Sequence, residues 1–199
     1  MSTPAPPEGG SELLSLQTLD LLPITTDRLI LRRPTGADVD AVLAYRSRPD
    51  VCRYLPFEPQ TRERVTGQIA DVDDQLTRSE RTLWLMVEVA ETGVLIGDVI
   101  LFVRGLVERG GEVGYVFAPE AAGNGYATEA TAALVDFGFR TLGMHRIVGR
   151  LDDRNGPSAR VLERIGMRRE ALFVRNEWFK GEWADEAVYA VLEDEWQQP

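Results

Sequence analysis

Residues 112–130 read EVGYVFAPEAAGNGYATEA. The stretch begins as a strand, is stopped by Pro119, passes through a turn punctuated by Gly123 and Gly125, and then opens a helix. Each glycine removes a Cβ that would hold backbone N–H groups away from a ligand. The helix that follows presents unpaired donors and the positive end of its dipole. Such a turn is a cradle for an anion.

The elements on either side set this cradle in a mixed fold. Ahead of it, ITTDRLILRR (24–33) alternates as a first strand, and Thr35 or Asp38 caps a helix that buries Val39, Val42 and Leu43 before Pro49. A second helix spans 61–77 on Val65, Ile69, Val72 and Leu76. Between them VCRYLPFEP (51–59) is a loop, and its Tyr54, Leu55 and Phe57 are placed to wall a substrate pocket. TLWLMVEVA and GVLIGDVILFV form a hairpin joined around Glu91, Thr92 and Gly93, so that 112–118 continues an antiparallel meander. After it come a helix from Tyr126 to about Arg140 on the stripe Tyr126, Ala130, Ala133, Leu134 and Phe137, and the strand HRIVGRL (145–151). A short helix follows with Asn155 as N-cap, Pro157 in its first turn and Gly166 at its end. Residues 168–179 and 185–192 are two closing strands.

The 199 residues, 44% hydrophobic and 27% charged, suit one globular domain over 21–199 behind a flexible tail of residues 1–20 rich in Pro, Gly and Ser. The tail lacks the basic start and apolar core of a secretory signal, and no apolar run reaches the roughly 20 residues of a bilayer span. A single cysteine, Cys52, excludes an internal disulfide, which points to the cytoplasm. The net charge of −10 disfavours nucleic acid and anionic lipid and suits an amine-bearing substrate. A polyanionic ligand must then be held by local backbone donors. Lys180 is the one lysine beside 21 arginines, a bias typical of a GC-rich genome. The single histidine, His145, has no H-x-x-H or C-x-x-C companion, so no metal site is expected.

Three blocks in order, PEAAGNGYATEA (119–130), NGPS (155–158) and WFKGEWADE (178–186), resemble the Gcn5-related N-acetyltransferase superfamily over about residues 23–195. They are most similar to the branch that includes the ribosomal-protein alanine acetyltransferases (RimJ/RimL-like). The resemblance implies an α+β fold: a mixed, mostly antiparallel sheet splayed into a V between 112–118 and 145–151, flanked by about four helices. It implies acetyl-CoA as cofactor, with the pantetheine arm in the V beside Val116, Phe117 and Ala118. The phosphates would lie on the backbone of Gly123, Asn124, Gly125, Tyr126, Ala127 and Thr128. Asn155 and Ser158 would face the arm from the other side. Ala122 departs from the superfamily's pattern of Arg or Gln at that position.

The implied reaction is direct attack of a primary amine, on a protein N-terminus or a small molecule, on the thioester. An α-amine of pKa ~7.7–8.0 is partly neutral at pH 7, whereas a lysine-like amine at ~10.4 needs a stronger base. Glu112 and Glu177 are the two base candidates by resemblance, although each also reads as a solvated strand residue. The tyrosine that many members use as general acid is Leu162 here, which leaves Ser158 to donate to the sulfur. Ser158 and Asn155 also read as ordinary residues of a helix first turn. The rival readings are a non-catalytic acyl-CoA-binding module, motivated by Leu162 and Ala122, and a dinucleotide-binding domain, which would need parallel βαβ units. The chain is expected to act as a monomer or homodimer.

Overall fold

The computed structural model describes residues 16–73, 82–104 and 109–197. Eight strands form one sheet: β1 (Ile24–Thr25), β2 (Leu29–Arg32), β3 (Thr82–Val89), β4 (Leu95–Arg104), β5 (Gly110–Phe117), β6 (Arg146–Asp152), β7 (Arg168–Phe179) and β8 (Glu182–Leu192). Their spatial order is β1-β2-β3-β4-β5-β6-β8-β7, and every neighbouring pair is antiparallel except β5 and β6. This is the mixed, mostly antiparallel sheet implied by the three blocks, and it rules out a dinucleotide fold of parallel units.

The helices are α1 (Val39–Arg46), α2 (Pro49–Cys52), α3 (Arg62–Ala70), α4 (Tyr126–Arg140) and α5 (Gly156–Arg164). Strand alternation explains how they cover both faces. Along β3, Leu83, Leu85 and Val87 point to the core shared with α4 and α5, while Trp84 and Met86 point to the core shared with α1 and α3. On α4, Ala130, Ala133, Leu134 and Phe137 are buried, and Tyr126 is half-buried against the same core. Each fully buried leucine in this layer contributes roughly 1.5–3 kcal/mol of transfer free energy.

The second core holds a charged centre. Asp98 of β4, 1% exposed, accepts hydrogen bonds from Tyr45 Oη at 2.5 Å, Arg46 Nη2 at 2.5 Å, Arg46 Nε at 3.0 Å and Trp84 Nε1 at 3.0 Å. The carboxylate thus locks α1 to the sheet. Burial and this negative charge push the Tyr45 phenol well above its ordinary pKa.

Several expectations are corrected by local chemistry. Pro49 begins α2, so Val51 and Cys52 are helical and the loop starts at Arg53. The second helix stops at Ala70, with Val72 buried beyond a turn; Leu76 lies outside the described residues. The final strand begins at Glu182 instead of 185, because Gly181 at φ 88° closes a tight hairpin onto β7. Within the expected tail, Leu16–Leu21 forms a 3-10 helix and Leu19 packs on the first core; residues 1–15 lie outside the described residues. No helix among the described residues is long and apolar enough to cross a membrane.

Candidate active site

The parallel pairing of β5 with β6 covers only Gly110–Glu112 against Arg146–Val148. Beyond Glu112, β5 continues to Phe117 on β4, and β6 continues to Asp152 on β8, with no ladder between them. The sheet therefore splits at Glu112.

At one end is the cradle. Gly123 and Gly125 take φ values of 83° and 77°, left-handed backbone that only glycine adopts without strain. A Cβ on Gly123 would meet nothing within 4 Å, so the space above the turn is open. The first helical bond of α4 runs from Glu129 N to Gly125 O at 3.0 Å, which leaves the amides of Tyr126, Ala127 and Thr128 ahead of it without a helical acceptor. An open turn with outward donors at a helix start fits the pyrophosphate of a coenzyme A thioester. The turn is held by Arg28, which no motif along the chain singles out. Its Nη1 donates to Asn124 O at 3.0 Å, its Nε donates to Glu129 at 2.7 Å, and its guanidinium lies 4.8 Å over the Tyr126 ring. Thr26 Oγ1 donates to the same glutamate at 2.5 Å. A cleft of about 480 Å³ opens beside the turn, walled by Tyr45, Arg48, Ala118, Asn124 and Tyr126.

Across the split stands the start of α5. Asn155 is its N-cap, accepting from Ser158 N at 3.3 Å, as the sequence suggested. Ser158 Oγ is 2.8 Å from the phenolic oxygen of Tyr115 on β5, and that phenol also donates to Ser158 O at 3.0 Å. Tyr115 thus ties one lip of the split to the other. The sequence reading missed it, although a tyrosine between the inward-facing Val113 and Phe117 needs a partner for its polar tip. Val116 faces the second core, whereas Phe117 is half-buried against the first. Leu162 is 1% exposed, and its Cδ1 lies 2.6 Å from where a Cβ on Gly149 would stand, so this position belongs to the core and offers no acid.

A second cleft, of about 490 Å³, is lined by Pro56, Phe57, Glu58, Glu177, Trp178, Phe179 and Lys180. It joins two groups predicted independently, Phe57 and Glu177. Tyr54 and Leu55 do not line it; Leu55 packs on the second core, and Tyr54 carries the Arg53 guanidinium 5.1 Å over its ring. Lys180 Nζ donates to Cys52 O at 2.5 Å and fastens the β7–β8 turn to the end of α2. Trp178 and Trp183 are 64% and 57% exposed and pack edge to face at 5.4 Å.

The two base candidates differ in their company. Glu112 accepts from Arg104 Nε at 3.1 Å and lies 3.9 Å from Arg150. Glu177 has none of its perturbing neighbours as a hydrogen-bond partner. Partial desolvation and the negative charge of Glu186 raise its pKa, Arg150 opposes them, and Asp152 and Glu112 add to the rise. Glu186 is buried and held by Arg150 Nη1 at 3.1 Å and Asn176 Nδ2 at 2.8 Å.

Comparison with known proteins agrees with this architecture. A curated relative from Bacillus subtilis strain 168, "Uncharacterized N-acetyltransferase YnaD", is 35% identical over 173 residues, covering 87% of this chain and 98% of the relative. The crystal structure of an acetyltransferase (GNAT family) from Bacillus anthracis superposes with a TM-score of 0.78 at 33% identity, covering 87% of this chain and all of that one. Mycobacterium smegmatis RimJ in complex with CoA-disulfide shares the fold at a TM-score of 0.74 and 23% identity, covering 84% and 83% of the two chains. The sequence profile of the acetyltransferase (GNAT) domain matches residues 28–168, and the chain belongs to this family of N-acetyltransferases.

Proposed function

We propose that the chain transfers an acetyl group from acetyl-CoA directly to a primary amine, with Ser158 facing the sulfur and Glu177 taking the proton. The observation that carries this reading is the split itself: β5 and β6 part after Glu112, β5 runs on toward the turn at Gly123–Gly125, Ser158 is hydrogen-bonded to Tyr115 on one lip, and Glu177 is close enough to Glu112, Arg150 and Asp152 to feel their charges. Acetyl-CoA is the acyl donor in this reading, and the amides of residues 123–128 hold its phosphates while Asn155 and Ser158 face its arm.

The proposed chemistry follows from the two ends. An ammonium group entering the acceptor cleft meets Glu58 and Glu177 beside the exposed ring of Trp178, surfaces that attract a cation, while Lys180 and Arg46 already lie over the rings of Phe179 and Phe57. Glu177, ionised but made more basic by its neighbours, takes the proton that must leave the nitrogen before attack. Glu112, engaged by Arg104, serves the electrostatics of the split and not proton removal.

Thiol release from acetyl-CoA, measured against a panel containing an alanine-starting tripeptide, a serine-starting tripeptide and spermidine, tests the reading. We expect turnover on at least one amine, reduced by Ser158→Ala and by Glu177→Gln with the affinity for CoA retained. Tight CoA binding with no release on any amine would make the chain a binding module instead, and wild-type rates in both folded variants would remove those residues from the mechanism.

A further inference from the structure

We infer that Tyr115 is a positioning residue for the sulfur end of the site: its phenol and the Ser158 hydroxyl form a two-link hydrogen-bond chain across the split that aims the serine hydrogen at the coenzyme sulfur. The inference rests on the assignment of Ser158 proposed above.

The geometry supplies the chain. Tyr115 lies three residues beyond Glu112, where the β5–β6 pairing ends, and its side chain crosses to the first turn of α5. Its single hydroxyl hydrogen has two acceptors on one residue, Ser158 O at 3.0 Å and Ser158 Oγ at 2.8 Å. When that hydrogen points to the carbonyl, the serine donates to the phenolic oxygen. When it turns to Oγ, the serine keeps a satisfied lone pair and its own hydrogen is free for a third partner. Both hydroxyls are half-buried, so in the second arrangement the serine hydrogen is available to the sulfur once the coenzyme is bound.

The phenol remains the donor throughout. Burial pushes it well above its ordinary pKa, the bond to Ser158 opposes this, and Tyr189 adds to the rise. A neutral phenol polarises the serine without surrendering its own proton. The fold also explains why the hydroxyl comes from β5. The position where related enzymes carry an acid tyrosine is Leu162, packed against Gly149 in the core.

The step balances without proton loss from either hydroxyl. The amine lone pair forms the C–N bond at the acetyl carbonyl carbon, and the C–S bond breaks with its electron pair on sulfur. Glu177 gives the proton it took before attack to water, and the surplus proton that nitrogen carries once the C–N bond has formed passes to the same carboxylate. The thiolate accepts the Ser158 hydrogen bond, which the Tyr115 bond strengthens, and it takes a proton from water as it leaves.

The test needs no acceptor amine. CoA is bound to the full chain and the thiolate absorbance of the bound thiol is followed with pH. In the wild type the thiol should titrate below free CoA, in Ser158→Ala close to free CoA, and in Tyr115→Phe about one pH unit above the wild type, a tenfold change in its ionisation constant. The double variant should titrate with Ser158→Ala, since Tyr115 acts through the serine. A Tyr115→Phe protein that titrates as wild type, while Ser158→Ala is shifted, overturns this inference alone. If CoA binds and Ser158→Ala also titrates as wild type, or if CoA does not bind, the reading of Ser158 and this inference fail together. Site-specific 3-fluorotyrosine at position 115 keeps the packing and strengthens the donor. It should lower the thiol pKa further, and no change would count against the chain even if Tyr115→Phe folds poorly.

Discussion

The cradle can be tested by adding one methyl group. Gly125→Ala places a Cβ whose nearest neighbour is Arg28 Nη2 at 3.6 Å, an ordinary contact, so the cost is conformational and not steric. At φ 77° an alanine is strained by about 1–2 kcal/mol relative to glycine. In the free protein the loop can relax only by giving up bonds such as Arg28 to Asn124 O at 3.0 Å and Asn124 Nδ2 to Ala121 O at 3.3 Å. The strain is then divided between folding and binding. If it is retained, the melting temperature falls by about 2–4 °C per kcal/mol with the affinity for CoA intact. If the loop relaxes, stability holds and the Kd for CoA rises by about 5–30-fold as the bound loop is forced back. The split is free, but the sum from unfolded chain to CoA complex must be about 1–2 kcal/mol. Calorimetric titration with CoA and thermal unfolding together measure that sum. Gly36→Ala is the control, because Gly36 has no positive φ and an added Cβ meets nothing within 4 Å, so both readouts should hold or stability rise slightly. A summed cost below about 0.5 kcal/mol for Gly125→Ala would refute the claim that the cofactor is bound on this left-handed turn.

Two other perturbations address the rest of the site. Asp98→Ala removes the acceptor shared by Tyr45, Arg46 and Trp84 and leaves a buried guanidinium unpaired; chemical denaturation should show a loss of about 3–5 kcal/mol, and a loss under 1 kcal/mol would mean that water replaces the carboxylate. Glu186→Gln removes the neighbouring charge that raises the Glu177 pKa and frees Arg150 to act on it, so the Glu177 pKa should fall. Because the base works only when ionised, the acid limb of kcat/KM for any amine that turns over should move to lower pH; an unmoved limb would exclude Glu177 as the titrating base.

The fold was readable where local chemistry repeats a pattern along the chain. The stripe of α4, the Asn155 cap and the glycine turn are each set by residues within a few positions of one another, and each stands where the sequence suggested. The family was readable in the three blocks that carried a resemblance. What was hidden are partnerships between distant residues: Tyr115 with Ser158 across 43 positions, Arg28 with Glu129 across 101, and Arg46 with Asp98 across 52. No periodicity encodes them, since each depends on which strand becomes the neighbour of which helix. The loop at 51–59 illustrates the same limit: three aromatic or aliphatic residues looked equivalent, but only Phe57 turns to the cleft with Glu177.

The distribution of charge also resolves the apparent fault at Ala122. Among the described residues the arginines at the cradle are already paired, Arg28 with Glu129 and Arg48 with both Asp50 and Glu120. In the proposed mode of binding the phosphates rest on amides of a helix start, which do not depend on a long basic side chain at 122. The acceptor end is arranged the other way. Around Glu177 the carboxylates of Glu186, Asp152 and Glu112 face Arg150, which pairs with Glu186 and lies near Glu112, while Arg154 is held by Asp152 and Glu182. In the proposed reaction the cleft draws an amine toward Glu177 and Glu58 as its ammonium form and must then remove a proton from it. Burial first, and then the charge of Glu186, raise the basicity of Glu177, the carboxylate in this cluster that no arginine holds, and in the proposed reaction the same negative charge attracts the cation.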